Sequence, residues 1–234
     1  MGSSSDSTGA ADPMQPSQYT AAMLRVIEQR GPLLPIGRAI EIGTGSGVLL
    51  AALSRRGAGA LWGVDIDPDA LAATARLLRQ EAGDKPVQLL LGNVWEPVPP
   101  LAFDAVIANL PHYPAELQAQ DGRGSRWSGG GRRALDVFLH GLAAHLSAGG
   151  AAWITHHALV GLEQTRDILA EHRLTAEIVF SWTVHETAAR IADLPPPLRA
   201  SALLRRIGPY HFTEADVLEI RHAGCPPLSA SASI

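Results

Sequence analysis

At 234 residues, 46% hydrophobic and 18% charged, the chain has the size and composition of one soluble α/β domain with a short tail at each end. A formal net charge of −4, with Lys85 the sole lysine, excludes a broad polyanion-binding face, so no nucleic-acid partner is expected. The single cysteine, Cys225, excludes an intramolecular disulfide, and no apolar run reaches the ~20 residues that span a bilayer; a reducing, cytoplasmic setting without a membrane partner is expected.

Residues 1–13 (MGSSSDSTGAADP) lack the basic and apolar regions of a secretory signal and read as a disordered tail. The stretch SQYTAAMLRVIEQR (17–30) sets Tyr19, Met23, Val26 and Ile27 at helical spacing before Gly31-Pro32 stops it. RAIEI (38–42) reads as a buried strand, GVLLAALSRR (47–56) as a helix and ALWGVD (60–65) as the second strand. Pro68 opens the next helix at its first turn, where a missing N–H costs nothing. VQLLL (87–91) and FDAVIA (103–108) follow as strands. RRALDVFLHGLAAHL (132–146) is an amphipathic helix ending near Gly149-Gly150. AAWIT (151–155) is a strand, VGLEQTRDILAEH (160–172) a helix, and LTAEIVFSWTV (174–184) and DVLEIRHA (216–223) the last two strands. This alternation predicts a Rossmann-like, doubly wound, mostly parallel sheet of seven strands. Residues 14–223 form the expected domain, with 224–234 as a flexible tail.

The turn between the first strand and first helix reads Glu41-Ile42-Gly43-Thr44-Gly45-Ser46-Gly47. Its glycines permit positive φ and close approach of backbone to a ligand, and the helix N-terminus adds free N–H groups. The order E-x-G-x-G-x-G differs from the G-x-G-x-x-G of nicotinamide-dinucleotide folds, which argues against an NAD-dependent oxidoreductase. An acid before the glycines suits a ligand carrying a cationic amine better than a pyrophosphate. Asp65, at the end of the second strand, suits two ribose hydroxyls. Ribose joined to a positively charged amino acid describes S-adenosylmethionine; the alternative is a plain turn with a helix-capping Asp.

EIGTGSG, GVDIDPDAL, the turn after VQLLLGN and FDAVIANLPHYP resemble, in order and spacing, the motifs of class I S-adenosylmethionine-dependent methyltransferases. Over roughly residues 13–180 the chain is most similar to the HemK/PrmC group, the glutamine N5-methyltransferases of release factors, and their relatives. The resemblance implies that Gly43, Gly45 and Gly47, with Glu41 and Thr44 beside them, line the methionine part of the cofactor. Asp65 would hold the ribose and Ile66 would pack beside the adenine. Asn93 stands where an acid often accepts from the adenine amine, and Val94 would contribute backbone.

Asn109-Leu110-Pro111-His112 resembles the NPPY motif of methyltransferases acting on planar nitrogens, with Leu110 in place of the first proline and His112 in place of the tyrosine. By that resemblance Asn109 orients the target nitrogen and also borders the cofactor. His112 is expected either to stack on the acceptor or, with a reference pKa near 6.5, to act as general base. Pro111, Tyr113, Tyr19, Arg126 and His156 complete the expected acceptor side. The loop 121–133 carries Arg123, Arg126, Arg132 and Arg133, whose forks suit a carboxylate or phosphate; the alternative is a solvated loop. Because neighbours in a strand face opposite ways, at most one of His156 and His157 should face the cleft. No Cys or His cluster has zinc-like spacing, so no metal is expected.

The HemK/PrmC enzymes carry a helical domain before the first motif, whereas here 37 residues precede the first expected strand. A segment with Leu194-Pro195-Pro196-Pro197 separates the last two strands, and 185–215 is expected to cap the acceptor side with His185, Arg190, Tyr210 and His211. These departures point to a nitrogen or oxygen of a small molecule as methyl acceptor, in specialised metabolism. The alternatives are a release-factor-type protein methyltransferase, or a protein that binds S-adenosylmethionine without catalysis. The sequence leaves open whether the chain acts alone or as a homodimer.

Overall fold

The computed structural model describes residues 15–114, 131–226 and 228. The expected tail at 1–13, and Asp121, Arg123 and Arg126 of the arginine-rich loop, lie outside the described residues, as does most of the tail after 224.

In chain order the elements are α1 (Gln18–Arg30), β1 (Arg38–Ile42), α2 (Val48–Arg55), β2 (Ala60–Asp65), α3 (Pro68–Glu81), β3 (Val87–Leu91) and β4 (Phe103–Ala108). They continue with α4 (Arg133–His145), β5 (Leu146–His157), α5 (Leu162–Glu171), β6 (Leu174–Glu186), α6 (Ala188–Ala192), α7 (Pro196–Arg199), β7 (Arg205–Ile207) and β8 (Tyr210–His222). The sheet order is β3-β2-β1-β4-β5-β8-β6, with β7 paired to β8. Strands β1 to β5 pair in parallel, while β8 runs antiparallel between β5 and β6.

Strand alternation divides the core into two layers. Ile40, Val64, Val106 and Ile154 face Phe138, Leu139 and Leu142 of α4 and Leu169 of α5. Ala39, Ile107, Trp153 and Val217 face Met23 and Ile27 of α1 and Leu50 and Leu53 of α2. The near-continuous apolar strands follow from burial on both faces.

Three expectations change. The sheet has eight strands, because Arg205–Ile207 adds a short partner to β8. Helix α4 stops at His145, since β5 already begins at Leu146, five residues before the expected strand; Leu146 pairs with Phe103 there. The last two strands extend to Glu186 and back to Tyr210, so the expected cap at 185–215 shrinks to the 23 residues 187–209 between them, carrying α6, α7 and β7. Long antiparallel pairing of β6 with β8, from Leu174↔His222 to Glu186↔His211, takes up the rest. Among the described residues no helix is long and apolar enough to cross a membrane.

The strand order turns back between β1 and β4, and open α/β sheets hold ligands at the C-terminal edge of such a switch. The two turns leaving that edge touch: a Cβ added to Gly43, after β1, would lie 3.1 Å from the Leu110 side chain, after β4.

Candidate functional site

A cavity of about 460 Å³ opens at this switch point. Its floor is the turn 43–47, which the backbone closes tightly. Gly43 and Thr44 donate to the Val64 carbonyl at 2.8 and 3.2 Å, and Gly47 donates to the Thr44 carbonyl at 2.7 Å. Gly47 sits at φ 78°, and a Cβ there would meet Cα, Cγ2 and Oγ1 of Thr74 at 2.9 Å, so only glycine brings α2 this close to α3.

Two buried acids brace the floor. Asp65 accepts from the Gly45 amide at 2.9 Å on one oxygen and from the Asp67 amide at 2.9 Å on the other. Burial pushes its carboxyl above the usual range, against the pull of those amides. Glu41 faces α2 and accepts from the Leu50 amide at 2.9 Å, serving a helix first turn that has no capping side chain. Burial raises its pKa well above normal, and Asp65 adds to that rise. A cationic group in the cavity would relieve both.

The far wall comes from the ends of β2 and β3. Ile66 is 64% exposed, an open apolar face at the cavity rim. Asn93 donates through its amide nitrogen to Glu96 at 3.3 Å, which leaves its side-chain carbonyl available. Val94 holds φ 48°, a strained conformation for a β-branched residue that typically costs about 1–3 kcal/mol. Thr44 Oγ1 is buried without a hydrogen-bond partner among the described residues. These residues fit S-adenosylmethionine: acids for the amine and ribose, backbone for the methionine part, Ile66 and Asn93 for the adenine.

On the acceptor side the Asn109 carbonyl oxygen accepts from the Thr155 hydroxyl at 2.8 Å. Both residues lie on the sheet face that carries Ile107 and Trp153. His112 is buried, its Nδ1 hydrogen-bonded to the Leu110 carbonyl and its Nε2 without a partner among the described residues. Nδ1 therefore carries the proton, and Nε2 presents a lone pair. Burial lowers the His112 pKa to about 4, despite the Leu110 carbonyl, which favours the charged form. The expected base titrating near neutrality is thus a neutral imidazole at physiological pH. Tyr19 of α1 stands edge-on to it at 6.3 Å.

His156 does not line the cavity. It points to the α5 face, where Nε2 bonds Thr165 at 2.9 Å, and His157 lines the cavity instead. One of the pair faces the cleft, as strand alternation requires, but it is the other one from the residue expected. His157 is fully engaged: Nε2 meets Glu186 at 2.9 Å and Nδ1 accepts from the Leu159 amide at 3.3 Å. Burial works to raise the Glu186 pKa, yet His157 and Arg190 prevail and hold it low.

The connection between β6 and β8 contributes Arg190. Its guanidinium lies 3.9 Å over the Tyr113 ring and 3.4 Å from Glu186, while the Tyr113 hydroxyl donates to the Arg190 carbonyl at 3.3 Å. Of the four cap candidates only Arg190 lines the cavity. His185 packs against Tyr210 and Phe212, Tyr210 is exposed, and His211 pairs in the β6–β8 ladder. Arg132 is not available to a substrate either. It bonds the Val160 and Gly161 carbonyls at 2.8 and 3.1 Å and pairs with Asp136, pinning α4 to the start of α5. Arg133 opens α4 on the exposed side.

Sequence reasoning did not find Thr155, His157 as the cleft-facing histidine, or Glu186. The first two carry a weak signal, since they follow Trp153 by two and four residues and so share its strand face. Glu186 carries none, because its role depends on β6 running back beside β8.

Residues 39–121 match a family described as a methyltransferase domain. The chain is 38% identical over 84 residues to a release factor glutamine methyltransferase of Gloeobacter violaceus, covering 35% of this chain and 29% of that protein. It is 35% identical over 138 residues to a ribosomal protein L11 methyltransferase of Stenotrophomonas maltophilia, covering 57% of this chain and 43% of that one. The chain thus spans less than half the length of these curated relatives. Among solved structures, the ribosomal protein L11 methylase of Lactobacillus delbrueckii subsp. bulgaricus superposes with a TM-score of 0.55 at 18% identity, covering 88% of this chain and 79% of that one. The N-methyltransferase NodS of Bradyrhizobium japonicum gives 0.53 at 14% identity, covering 91% and 98%. These likenesses give the fold.

Proposed function

We propose that this chain, a class I S-adenosylmethionine-dependent methyltransferase by domain and fold, methylates a nitrogen of a small acceptor molecule, or in its place a hydroxyl oxygen. The observation that carries the small acceptor is the roof of the cleft. Arg190 of the cap lies on Tyr113, and Tyr19 of α1 stands beside His112, so the space next to Asn109 is walled by side chains from three elements.

S-adenosylmethionine, when bound, supplies the methyl group and a positively charged sulfur as leaving group. The protein's task is to place a neutral nucleophile with its lone pair toward the cofactor. Asn109 is fixed by Thr155 through one lone pair of its carbonyl oxygen, and the second can accept from the acceptor N–H or O–H. The His112 ring borders the same space, with its Nε2 buried. With a pKa of about 4 that imidazole removes a proton poorly at neutral pH, so the reading favours an acceptor nitrogen that is already neutral. The net charge of −4 supports a reaction with neither nucleic acid nor a membrane surface as partner.

A second reading is a protein side-chain nitrogen, favoured by the names of the sequence relatives, which methylate release factor and ribosomal protein L11. Transfer of labelled methyl from S-adenosylmethionine, tested in parallel against small-metabolite fractions, release factor and L11, separates the two. Label in the small-metabolite fraction supports the proposal. Label confined to a protein overturns it in favour of the second reading. No label in any arm, with cofactor binding intact, overturns both.

A further inference from the structure

Away from the cleft, α4 and α5 bring together three side chains that the methyl-transfer chemistry does not use. His140 lies midway along α4, Glu171 is the last residue of α5, and His172 follows it as the cap. One ligand atom from each lies within 4.8 Å of the others. His140 Nδ1 and His172 Nε2 are 3.1 Å apart, with their rings nearly perpendicular. From these positions we propose a divalent transition-metal site on this face, of the two-imidazole, one-carboxylate type that zinc takes.

The spacing of the two imidazoles suits such an ion. Zinc binds imidazole nitrogen at about 2.0–2.1 Å in a tetrahedral arrangement, which separates two ligand nitrogens by about 3.3–3.4 Å. The pair needs to open by only a few tenths of an ångström. Without an ion, the contact requires one ring to donate its N–H to the lone pair of the other. Two imidazoles and one carboxylate suit zinc and its transition-metal neighbours, whereas magnesium and calcium demand more oxygen ligands. His140 and Glu171 are exposed and His172 half-buried, so an ion has access and water completes its shell.

The role is a staple. Arg132 already pins the cleft end of α4 to the start of α5. His140 is eight residues further along, about 12 Å at 1.5 Å per residue. A metal there ties α4 to the end of α5, so the helix is held at two points. Ala134, in its first turn, lines the cavity, so the tie bears on the acceptor wall.

The test is zinc titration calorimetry and thermal melting on the full chain without an affinity tag. We expect one saturable zinc ion per chain and a higher melting temperature with zinc. His140→Ala and His172→Ala should each weaken zinc binding at least about tenfold and abolish the thermal shift, and Glu171→Gln should weaken it less. Magnesium should give no saturable heat. His140 is exposed in a helix, where alanine is well tolerated, so that variant keeps the test alive if His172→Ala folds poorly. Its metal-free melting temperature and cofactor binding should match the parent. Unchanged zinc affinity in both variants, or no saturable zinc binding by the parent, overturns the site and leaves the methyltransferase reading untouched.

Discussion

The hydroxyl of Thr155, near the end of β5, donates to the side-chain oxygen of Asn109, just past β4, at 2.8 Å. The bond fixes the amide rotamer before an acceptor arrives. Thr155→Val removes the donor but keeps the shape. Turnover should fall about 10²-fold, the scale of an ångström's misplacement of a reacting group, while S-adenosylmethionine affinity stays within a few fold. Thr155→Ser should restore most of the rate. Steady-state kinetics with cofactor calorimetry decides, and full activity in Thr155→Val would leave Asn109 positioned by something else.

The cofactor floor depends on a residue without a side chain. At Gly47, alanine would adopt a left-handed φ costing about 1–2 kcal/mol and press against Thr74 at 2.9 Å. Gly47→Ala should lower the melting temperature by about 2–8 °C and severely weaken cofactor binding. Asp65→Ala should weaken the cofactor with a smaller loss of stability, because the Gly45 and Asp67 amides lose their acceptor. Tighter binding of NAD than of S-adenosylmethionine would refute the assignment of this turn.

Two buried imidazoles predict an acid limb in stability. The pKa of His112 is lowered to about 4 and that of His156 to about 3, in both cases chiefly by burial. In the unfolded chain both return to about 6.5 and take up protons that the folded rings refuse. Their contribution is therefore fully present above about pH 6.5 and is lost progressively as pH falls toward 4 and 3. Melting curves from pH 8 to 4 should show the decline, and His156→Gln should flatten it. Turnover should show no His112-dependent step between pH 8 and 5; a step there that His112→Gln abolishes would restore that residue as a general base.

Arg190 gives a distinct signature. Its stacking on Tyr113, worth about 0.5–2 kcal/mol, ties the connection between β6 and β8 to the turn after β4, beside the proposed acceptor space. Arg190→Ala should raise the acceptor KM about 2- to 30-fold with a smaller effect on kcat. Arg190→Lys should not rescue it, since an ammonium cannot reproduce the flat guanidinium contact. A purely catalytic defect, with KM unchanged, would remove Arg190 from acceptor binding.

By itself the sequence determined the elements whose signals are local. Periodic apolar residues at 38–42, 60–65 and 103–108 and the turn Gly43–Gly47 announce parallel strands and a ligand-facing loop, because buried strands and positive-φ turns constrain residue type directly. Tertiary structure decided what depends on distant partners. Which histidine of His156-His157 meets the cleft was set by the register of β5 against β4 and β8, which puts His157 on the face of Thr155 and Asn109. Whether His112 titrates near neutrality was set by burial, a property of everything packed around it. The eighth strand exists because β8 starts early enough to pair with Arg205–Ile207, and the His140–His172 contact exists because α4 and α5 pack side by side. Neither pairing leaves a mark at the spacing of the residues in the chain, since long-range packing is chosen by the whole fold and not by neighbours in sequence.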